Sequence, residues 1–295
     1  MEYENLYRQA QRPKYDCLLF DLDDTLYPLS SGLAAGCLKN IQDYMVEKLD
    51  IEQEKIPALG NLLYKNYGTT MAGLRAIGYD FDYDKYHSFV HGRLPYENLK
   101  PDPVLRTLLL SLPIRKVIFT NADGAHAAKV LSRLGLKDCF EGIICFETLN
   151  PIHKTTVSDD EDDVKFVGPT SATKSSNQIF DIIDHFSQPN PGSALPKTPI
   201  FCKPSEDAIE QALRIAKINP QRTLFFDDSV RNIQSGKRVG LHTVLVGTSH
   251  RPKGADYALE SIHNIREALP ELWDADKMPE VSYPGKVAVE TSVTA

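Results

Sequence analysis

The chain alternates between short apolar runs and longer helical patterns, which is typical of an α/β protein. Five runs have the length of buried strands, and they lie at Cys17–Phe20, Val117–Phe119, Gly142–Phe146, Thr223–Phe226 and Thr243–Val246. Helices are predicted between the later runs, near Ala125–Leu134, Glu206–Ala216 and Val230–Val239. Strands and helices in this alternation predict a parallel sheet with helices on both of its faces.

A different pattern interrupts this alternation once, between Asp21 and Thr120. From about Leu33 to Pro95 the sequence is helical. Apolar residues form one helical face at Leu38, Ile41, Met45 and Leu49 and another at Leu59, Leu62 and Leu63. We therefore expect a small all-helical cap at residues 29–96 and a discontinuous α/β core at residues 14–28 and 97–272.

The segment 150–199 differs in composition from the rest of the predicted core. It contains the acidic run Asp159–Asp163, a serine-rich stretch and several prolines, which together indicate a flexible surface insertion. One short amphipathic helix is predicted near Ile179–Phe186. The insertion is either a flap or docking element near Lys203 or a tolerated surface loop, and the second interpretation is favoured. Residues 273–295 lack periodicity, and we expect a disordered tail there.

Carboxylates follow the first predicted strand directly, at Asp21 and Asp23. Ligands of open α/β sheets bind at the carboxyl ends of the strands, so this is where a site is expected. One aspartate can attack phosphorus to give an acyl-phosphate, and the second can protonate the departing oxygen. Taken alone, the same string also fits a capped turn between a strand and a helix.

Three further motifs follow in the same setting. Thr120 and Asn121 come after the second strand, and their hydroxyl, amide and nearby backbone N–H groups are candidate phosphate ligands. Lys203 precedes a helical pattern, and Asp227 with Asp228 ends a later strand. Each motif has an ordinary explanation as a turn, a surface charge or a helix cap. Only their joint occurrence favours a phosphoryl-transfer site.

Together, the four motifs resemble those of the haloacid dehalogenase (HAD) superfamily in order and in structural setting. The resemblance implies a Rossmann-like parallel sheet with a helical cap of the C1 type. It also implies a role for each motif residue: nucleophile for Asp21, general acid and base for Asp23, phosphate ligand for Thr120, counter-charge for Lys203, and metal-holding pair for Asp227 and Asp228. The resemblance further implies that dehalogenases, phosphonate hydrolases and transport ATPases lack an aspartate at the position of Asp23, so its presence here favours a phosphomonoester hydrolase or a phosphoryl-transfer enzyme.

Four converging carboxylates, Asp21, Asp23, Asp227 and Asp228, would oppose binding of an anionic phosphate unless a cation lay among them. A hard divalent cation with oxygen ligands fits this set, so we expect Mg²⁺ as the cofactor and all four residues as its candidate ligands. The scattered histidines and cysteines offer no convincing zinc site.

The chain resembles the pyrimidine 5′-nucleotidase branch of the superfamily, including plant proteins related to suppressor of disruption of transcription factor IIS. That group also resembles xanthosine monophosphate phosphatase, so the choice between a purine and a pyrimidine base stays open. Candidate substrate-binding residues in the predicted cap are Tyr67, Gly68, Thr69, Thr70, His91 and Arg93. A nucleoside 5′-monophosphate is therefore the expected substrate. The alternatives are a sugar or vitamin phosphate, or a non-catalytic binding protein with the HAD fold.

Charge and cysteine content further limit the expected binding partners and cellular compartment. The 295 residues carry a net charge of −7, which gives no global attraction to nucleic acid or to an anionic membrane. The five cysteines are odd in number, and two of them adjoin the motifs, which favours reduced thiols. A cytoplasmic location is expected, with a nuclear presence left open, and the sequence does not indicate the oligomeric state.

Overall fold

A six-stranded sheet forms the centre of the protein in the computed structural model, which describes residues 14–151, 179–188 and 194–273. The strands are β1 (Cys17–Phe20), β2 (Arg115–Phe119), β3 (Gly142–Ile144), β4 (Thr223–Asp227), β5 (His242–Val246) and β6 (Tyr257–Leu259). Their spatial order is β3-β2-β1-β4-β5-β6, and every neighbouring pair is parallel. The predicted α/β class with a parallel sheet is confirmed.

Eleven α-helices accompany the sheet in the described residues. They are α1 (Leu33–Glu47), α2 (Ile56–Tyr67), α3 (Thr70–Ala76), α4 (Tyr83–His91), α5 (Pro103–Leu110), α6 (Gly124–Leu134), α7 (Phe146–Leu149), α8 (Ile182–Ser187), α9 (Glu206–Ile215), α10 (Val230–Val239) and α11 (Ile265–Ala268). Asp123 and Ser205 cap the N-termini of α6 and α9 by accepting backbone N–H bonds.

The central strand β1 is buried on both faces, which explains its unbroken apolar sequence. Leu18 and Phe20 pack in one hydrophobic layer, together with residues of α5 and α6. Cys17 and Leu19 pack in the opposite layer, with residues of α9 and α10. The alternation of side chains along a strand therefore places a helical layer on each face of the sheet.

The register of the strands brings the sequence motifs to one edge. Phe20 of β1 pairs with Ile118 of β2 and with Phe226 of β4. The residues that follow, Asp21 and Asp227, are therefore neighbours, and the backbone N–H of Asp21 donates to the carbonyl of Phe226 at 2.8 Å. The strand order reverses at this point, between β1 and β4, where ligands of doubly wound sheets bind.

Helices α1 to α4 form a separate layer with apolar clusters of their own. The short helix predicted within the insertion is present as α8, and its Ile182 is buried among apolar residues of α1, α2 and α3. The N–H of Phe180 donates to the carbonyl of Ile77, and Thr198 Oγ1 donates to the carbonyl of Ala72, both at 2.8 Å. The described parts of the insertion therefore pack on the cap.

Several predictions differ from the structure or fall outside it. The third strand ends at Ile144, and Phe146 begins α7 instead of ending the strand. Strand β6 was not predicted, because its three residues are too few for a periodicity. The acidic run Asp159–Asp163 and all residues after Trp273 lie outside the described residues. Within the described ranges, no helix is both long enough and apolar enough to cross a membrane.

Candidate active site

Asp21 lies where β1 ends, and its side chain is buried. Its Oδ1 accepts a hydrogen bond from Lys203 Nζ at 2.6 Å, and its Oδ2 accepts one from Thr25 Oγ1 at 3.1 Å. Burial raises the pKa of Asp21, the positive charge of Lys203 lowers it, and the neighbouring carboxylates raise it, with a net upward shift. One oxygen is thus fixed by a cation and the other by a hydroxyl.

Lys203 is a buried charge at this edge of the sheet, with 1% of its side chain exposed. Its ammonium donates to Asp21 Oδ1 at 2.6 Å, to Asp227 Oδ2 at 2.7 Å and to the carbonyl of Phe119 at 2.8 Å. All three N–H donors of the ammonium therefore have a partner. Burial lowers the pKa of Lys203, but the two carboxylates raise it above its usual value.

Asn121 fixes the position of Lys203 through the main chain. Its Oδ1 accepts from the Lys203 N–H at 2.8 Å, and its Nδ2 donates to the Lys203 carbonyl at 3.0 Å. The amide that the sequence predicts as a phosphate ligand is thus hydrogen-bonded to the main chain of Lys203 in this structure. We call the segment of Lys203 and Pro204, which precedes α9, the lysine loop. Thr120 is buried next to it, and its Oγ1 accepts from the N–H of Ala122 at 3.0 Å.

Three carboxylates converge beside Lys203. Oxygens of Asp21, Asp227 and Asp228 lie within 4.8 Å of one another. Asp227 also accepts from Asn232 Nδ2 at 2.9 and 3.1 Å and from the Ser229 N–H at 2.9 Å. Desolvation and the charge of Asp227 raise the pKa of Asp228 to about 7. A single lysine does not neutralise three carboxylates, and a set of oxygen ligands at this spacing fits a hard divalent cation.

The side chain of Asp23 does not belong to this group of three, although the sequence predicts it as a metal ligand. Its Oδ1 accepts from His126 Nε2 at 2.7 Å and from the Tyr27 hydroxyl at 2.5 Å. Desolvation raises the pKa of Asp23, but the charge and hydrogen bond of His126, aided by Tyr27, lower it to about 2. The two aspartates separated by one residue thus occupy different electrostatic environments.

His126 was not predicted as a site residue. It lies in the first turn of α6, 3% of its side chain is exposed, and its Nδ1 is 2.8 Å from the Tyr96 hydroxyl. Burial lowers the pKa of His126, but the charge of Asp23, the hydrogen bond to Asp23 and the charge of Asp123 together raise it by more, so the net shift is upward. Beside it, His91 of the cap pairs with Asp123 of the core. No local pattern distinguishes His126 from an ordinary buried histidine.

The predicted substrate-binding residues of the cap lie in three different places. Tyr67, Gly68 and Thr69 abut the lysine loop: Cys202 Sγ donates to the Tyr67 carbonyl at 3.4 Å and lies 4.0 Å from Thr69 Oγ1. Arg93 lies over the ring of Phe89, 3.7 Å from its centroid. Only Thr70 and His91 of the six line the cleft that leads away from Asp23.

This cleft, which we call the α1–α2 cleft, has a volume of about 620 Å³. Its core end is formed by Asp23, Asp24, Tyr27 and His126. Its cap end is formed by Leu33, Ala34, Cys37, Leu38, Ile41, Gln42 and Met45 of α1, by Ile56, Pro57, Gly60, Asn61 and Tyr64 of α2, and by Thr70, His91 and Leu94. The core site and the cap therefore share one cavity.

Comparison with known proteins finds a family model that matches part of this chain. Residues 172–246, which contain Lys203 and the Asp227–Asp228 pair, match the family described as haloacid dehalogenase-like hydrolase. The chain is similar to this family over that segment.

Solved structures with the same HAD fold include CbbY from Rhodobacter sphaeroides in complex with phosphate. This chain is 16% identical to it with a TM-score of 0.50, and the match covers 88% of this chain and 99% of that one. The HAD-hydrolase YfnB from Bacillus subtilis, described as bound to magnesium, matches with 18% identity and a TM-score of 0.48, over 86% of this chain and 97% of that one.

A sequence relative is Phosphate metabolism protein 8 of Saccharomyces cerevisiae. It is 29% identical over 150 residues, which are 48% of this chain and 47% of the yeast protein. The chain thus spans about half the length of the yeast relative that it matches.

Proposed function

We propose that this protein is a Mg²⁺-dependent phosphomonoesterase that forms an aspartyl-phosphate on Asp21. The observation that carries the proposal is the contrast between its two strand-tip aspartates. Asp21 is held by Lys203 beside Asp227 and Asp228, whereas Asp23 is held by His126 at the mouth of the α1–α2 cleft. Asp21 thus belongs to the group of converging carboxylates and Asp23 lies outside it, toward the cleft, which supports distinct roles for the two side chains as nucleophile and as proton-transfer group.

In the first step, a carboxylate oxygen of Asp21 attacks the phosphorus, and the bond to the ester oxygen breaks. Asp23 gives a proton to that departing oxygen, which leaves as the alcohol. In the second step, Asp23 takes a proton from water as the water oxygen attacks phosphorus. The bond to Asp21 then breaks, and inorganic phosphate and the free carboxylate are released.

Asp21, Asp227 and Asp228 would hold the metal ion, which supplies positive charge that offsets the repulsion between carboxylates and phosphate. Lys203 contributes a permanent charge, because its pKa is held above the usual value. Asn121 keeps that lysine in place through two main-chain bonds. Thr120 is the proposed hydroxyl ligand of the phosphate, since it lies at the end of β2 next to β1.

For the substrate, we propose a nucleoside 5′-monophosphate, either a pyrimidine nucleotide or xanthosine monophosphate. Three observations support this choice. The motifs resemble the pyrimidine 5′-nucleotidase branch, the cleft is large enough for a nucleoside, and the amides of Gln42 and Asn61 line it as groups able to pair with a base. The yeast relative is named for phosphate metabolism, which agrees with a phosphate-releasing role.

We also propose a cytoplasmic location. The five cysteines are free in the structure, and loss of contact with water raises the pKa of all five thiols. Free thiols at buried positions agree with a reducing compartment.

The test is release of phosphate with Mg²⁺ from UMP, CMP, XMP, GMP, AMP, FMN, pyridoxal phosphate and sugar phosphates. Asp21→Asn serves as the blank, and Asp43→Asn, at an exposed ion pair with Lys39, serves as the matched control. A preference for one nucleotide that Asp21→Asn lacks and Asp43→Asn retains supports the proposal. Equal activity of wild type and Asp21→Asn would refute the aspartyl-phosphate mechanism. A preference for sugar or vitamin phosphates would refute the nucleotide assignment alone.

A further inference from the structure

The position of Asp23 defines the direction in which the substrate extends. In the proposed reaction Asp23 protonates the ester oxygen, so the group attached to that oxygen must begin beside its carboxylate. Asp23 lines the α1–α2 cleft, whereas Lys203 and Asp227 do not. The phosphate therefore belongs at the Lys203 end, and the remainder of the substrate extends into the cleft between α1 and α2.

The chemistry of the cleft differs from that of the phosphate site. Its cap part is formed largely by aliphatic side chains, which include Leu38, Ile41, Met45 and Ile56. Among the described residues that line it there is no lysine or arginine. The acidic groups at its core end, Asp23 and Asp24, would repel an anionic leaving group.

The exposure of Leu38 provides a second observation. Leu38 lies on α1 with its side chain directed into the cleft wall, yet it is 57% exposed. Neighbouring Met45 and Ile56 on the same wall are buried. An aliphatic residue left open to the cavity loses contact with water only when an apolar group fills the space beside it.

We propose that the α1–α2 cleft is the leaving-group site and that it favours an uncharged leaving group with an extended apolar surface. This inference rests on the phosphomonoesterase function proposed above and deepens its substrate class. Phosphate monoesters of uncharged alcohols are substrates, a nucleoside among them, and part of the affinity for them comes from burial of apolar surface against α1 and α2. A leaving group that carries its own negative charge is disfavoured.

The experiment measures kcat/KM with Mg²⁺ for ethyl, butyl and hexyl phosphate. Each methylene that enters the cleft should raise kcat/KM about fourfold, the equivalent of about 0.8 kcal/mol of apolar burial. A hexyl phosphate with a terminal carboxylate should lose most of this gain, because the charge would have to leave water. Binding of ethyl and hexyl phosphonate to Asp21→Asn, measured by calorimetry, gives a second readout that needs no turnover.

A matched pair of variants locates the effect. Leu38→Gln removes apolar surface from the cleft wall and should reduce the ratio of hexyl to ethyl phosphate activity severalfold. Val46→Gln changes an exposed apolar residue of the same helix that does not line the cleft, and should leave that ratio unchanged. Both positions are exposed, so both variants are expected to fold, which circular dichroism checks.

The outcomes separate the inference from the function on which it rests. Activity toward all monoesters with no dependence on chain length, or equal ratios in both variants, would overturn the cleft assignment and retain the phosphatase. Chain-length-dependent binding of phosphonates without any turnover supports the cleft and refutes the hydrolase. If the protein shows no phosphate release and no chain-length-dependent binding, both the cleft assignment and the phosphatase function are refuted.

Discussion

Single residues decide the charge balance of this site. Lys203 is enclosed by Asp21, Asp227 and the Phe119 carbonyl, so its three hydrogen bonds are used within the protein. Removing one partner of a buried ion pair leaves the other charge uncompensated and destabilises the protein. A substitution of Lys203, Asp21 or Asp227 therefore affects the other two residues as well. His126 has an analogous relation to Asp23, but outside the group formed by Asp21, Asp227 and Asp228.

At this scale we predict that His126 holds the Asp23 carboxylate in position for proton transfer, a geometric role that is separate from its lowering of the Asp23 pKa. His126→Leu removes the donor at Nε2, so the carboxylate is no longer directed at the leaving oxygen. We expect kcat/KM for alkyl phosphates to fall about 10- to 100-fold, since general acid catalysis contributes 10²- to 10⁴-fold. The loss for p-nitrophenyl phosphate should be much smaller, because nitrophenolate leaves without a proton.

His126→Gln is the conservative variant, since its amide retains an N–H donor near the position of Nε2. It should recover part of the alkyl phosphate activity. A merely structural role would lower the rates for both classes of substrate equally, and that result would contradict the prediction.

At the scale of elements, the end of α2 forms a seam between the cap and the lysine loop. Gly68 caps α2 with φ of +89°. A Cβ there would lie 2.5 Å from the Lys203 carbonyl oxygen and 2.7 Å from Pro204 Cδ. Arg231 of α10 fixes the same turn by donating to the Tyr64 carbonyl at 2.9 Å. The segment Tyr67–Thr69, predicted to bind substrate, is therefore largely occupied with joining two elements.

We predict opposite effects for alanine at two glycines of this helix. Gly68→Ala should lower the free energy of unfolding by about 2 kcal/mol or more, through backbone strain and the clash with the lysine loop. Gly60→Ala should raise it by roughly 0.5–1 kcal/mol, because Gly60 lies within α2 and a Cβ there meets no atom within 4 Å. Urea denaturation measures the free energy of unfolding of both variants. Equal effects of the same sign would contradict a close contact between Gly68 and the lysine loop.

At the scale of the whole molecule, the cap and the core meet through aromatic and histidine side chains. His87 of α4 is buried, and its ring lies 4.6 Å from that of Phe146, which begins α7 beside the sheet. Burial lowers the pKa of His87 to about 4. The His87 ring is therefore neutral when it packs against Phe146 in the folded protein, and its protonation opposes that packing.

We predict a loss of stability in weak acid from this residue. Its folded pKa lies below the unfolded value of about 6.5, so its contribution is present above that value and is lost as the pH falls toward 4. At pH 5 the loss is roughly 2 kcal/mol. His87→Phe should flatten the dependence of the unfolding free energy on pH between 7 and 5.

His250→Phe, at an exposed position, is the matched control and should leave that dependence unchanged. Asp23 and Asp123 have lowered pKa values, so their contributions are lost only at more acidic pH. The same slope in wild type and in His87→Phe would contradict the prediction.

Local patterns were sufficient for most of the fold. Helix α10 has the predicted bounds Val230–Val239, and the four cap helices lie within the predicted helical region. Strand β6 was missed because three residues, of which two are only half-buried, carry no periodicity. Leu38 was assigned to an apolar helical face, but the structure leaves that residue open to the cleft.

The sequence by itself determined the α/β alternation and the strand ends that carry Asp21, Thr120 and Asp227, because hydrophobic periodicity and strand-terminal polar residues are local properties. The tertiary structure decided which distant groups meet. His126 reaches Asp23 across 103 positions, and Lys203 reaches Asp21 across 182. Such pairs depend on sheet register and helix packing, which no window along the chain contains. For the same reason only the packing of α1 against α2 creates the apolar cleft.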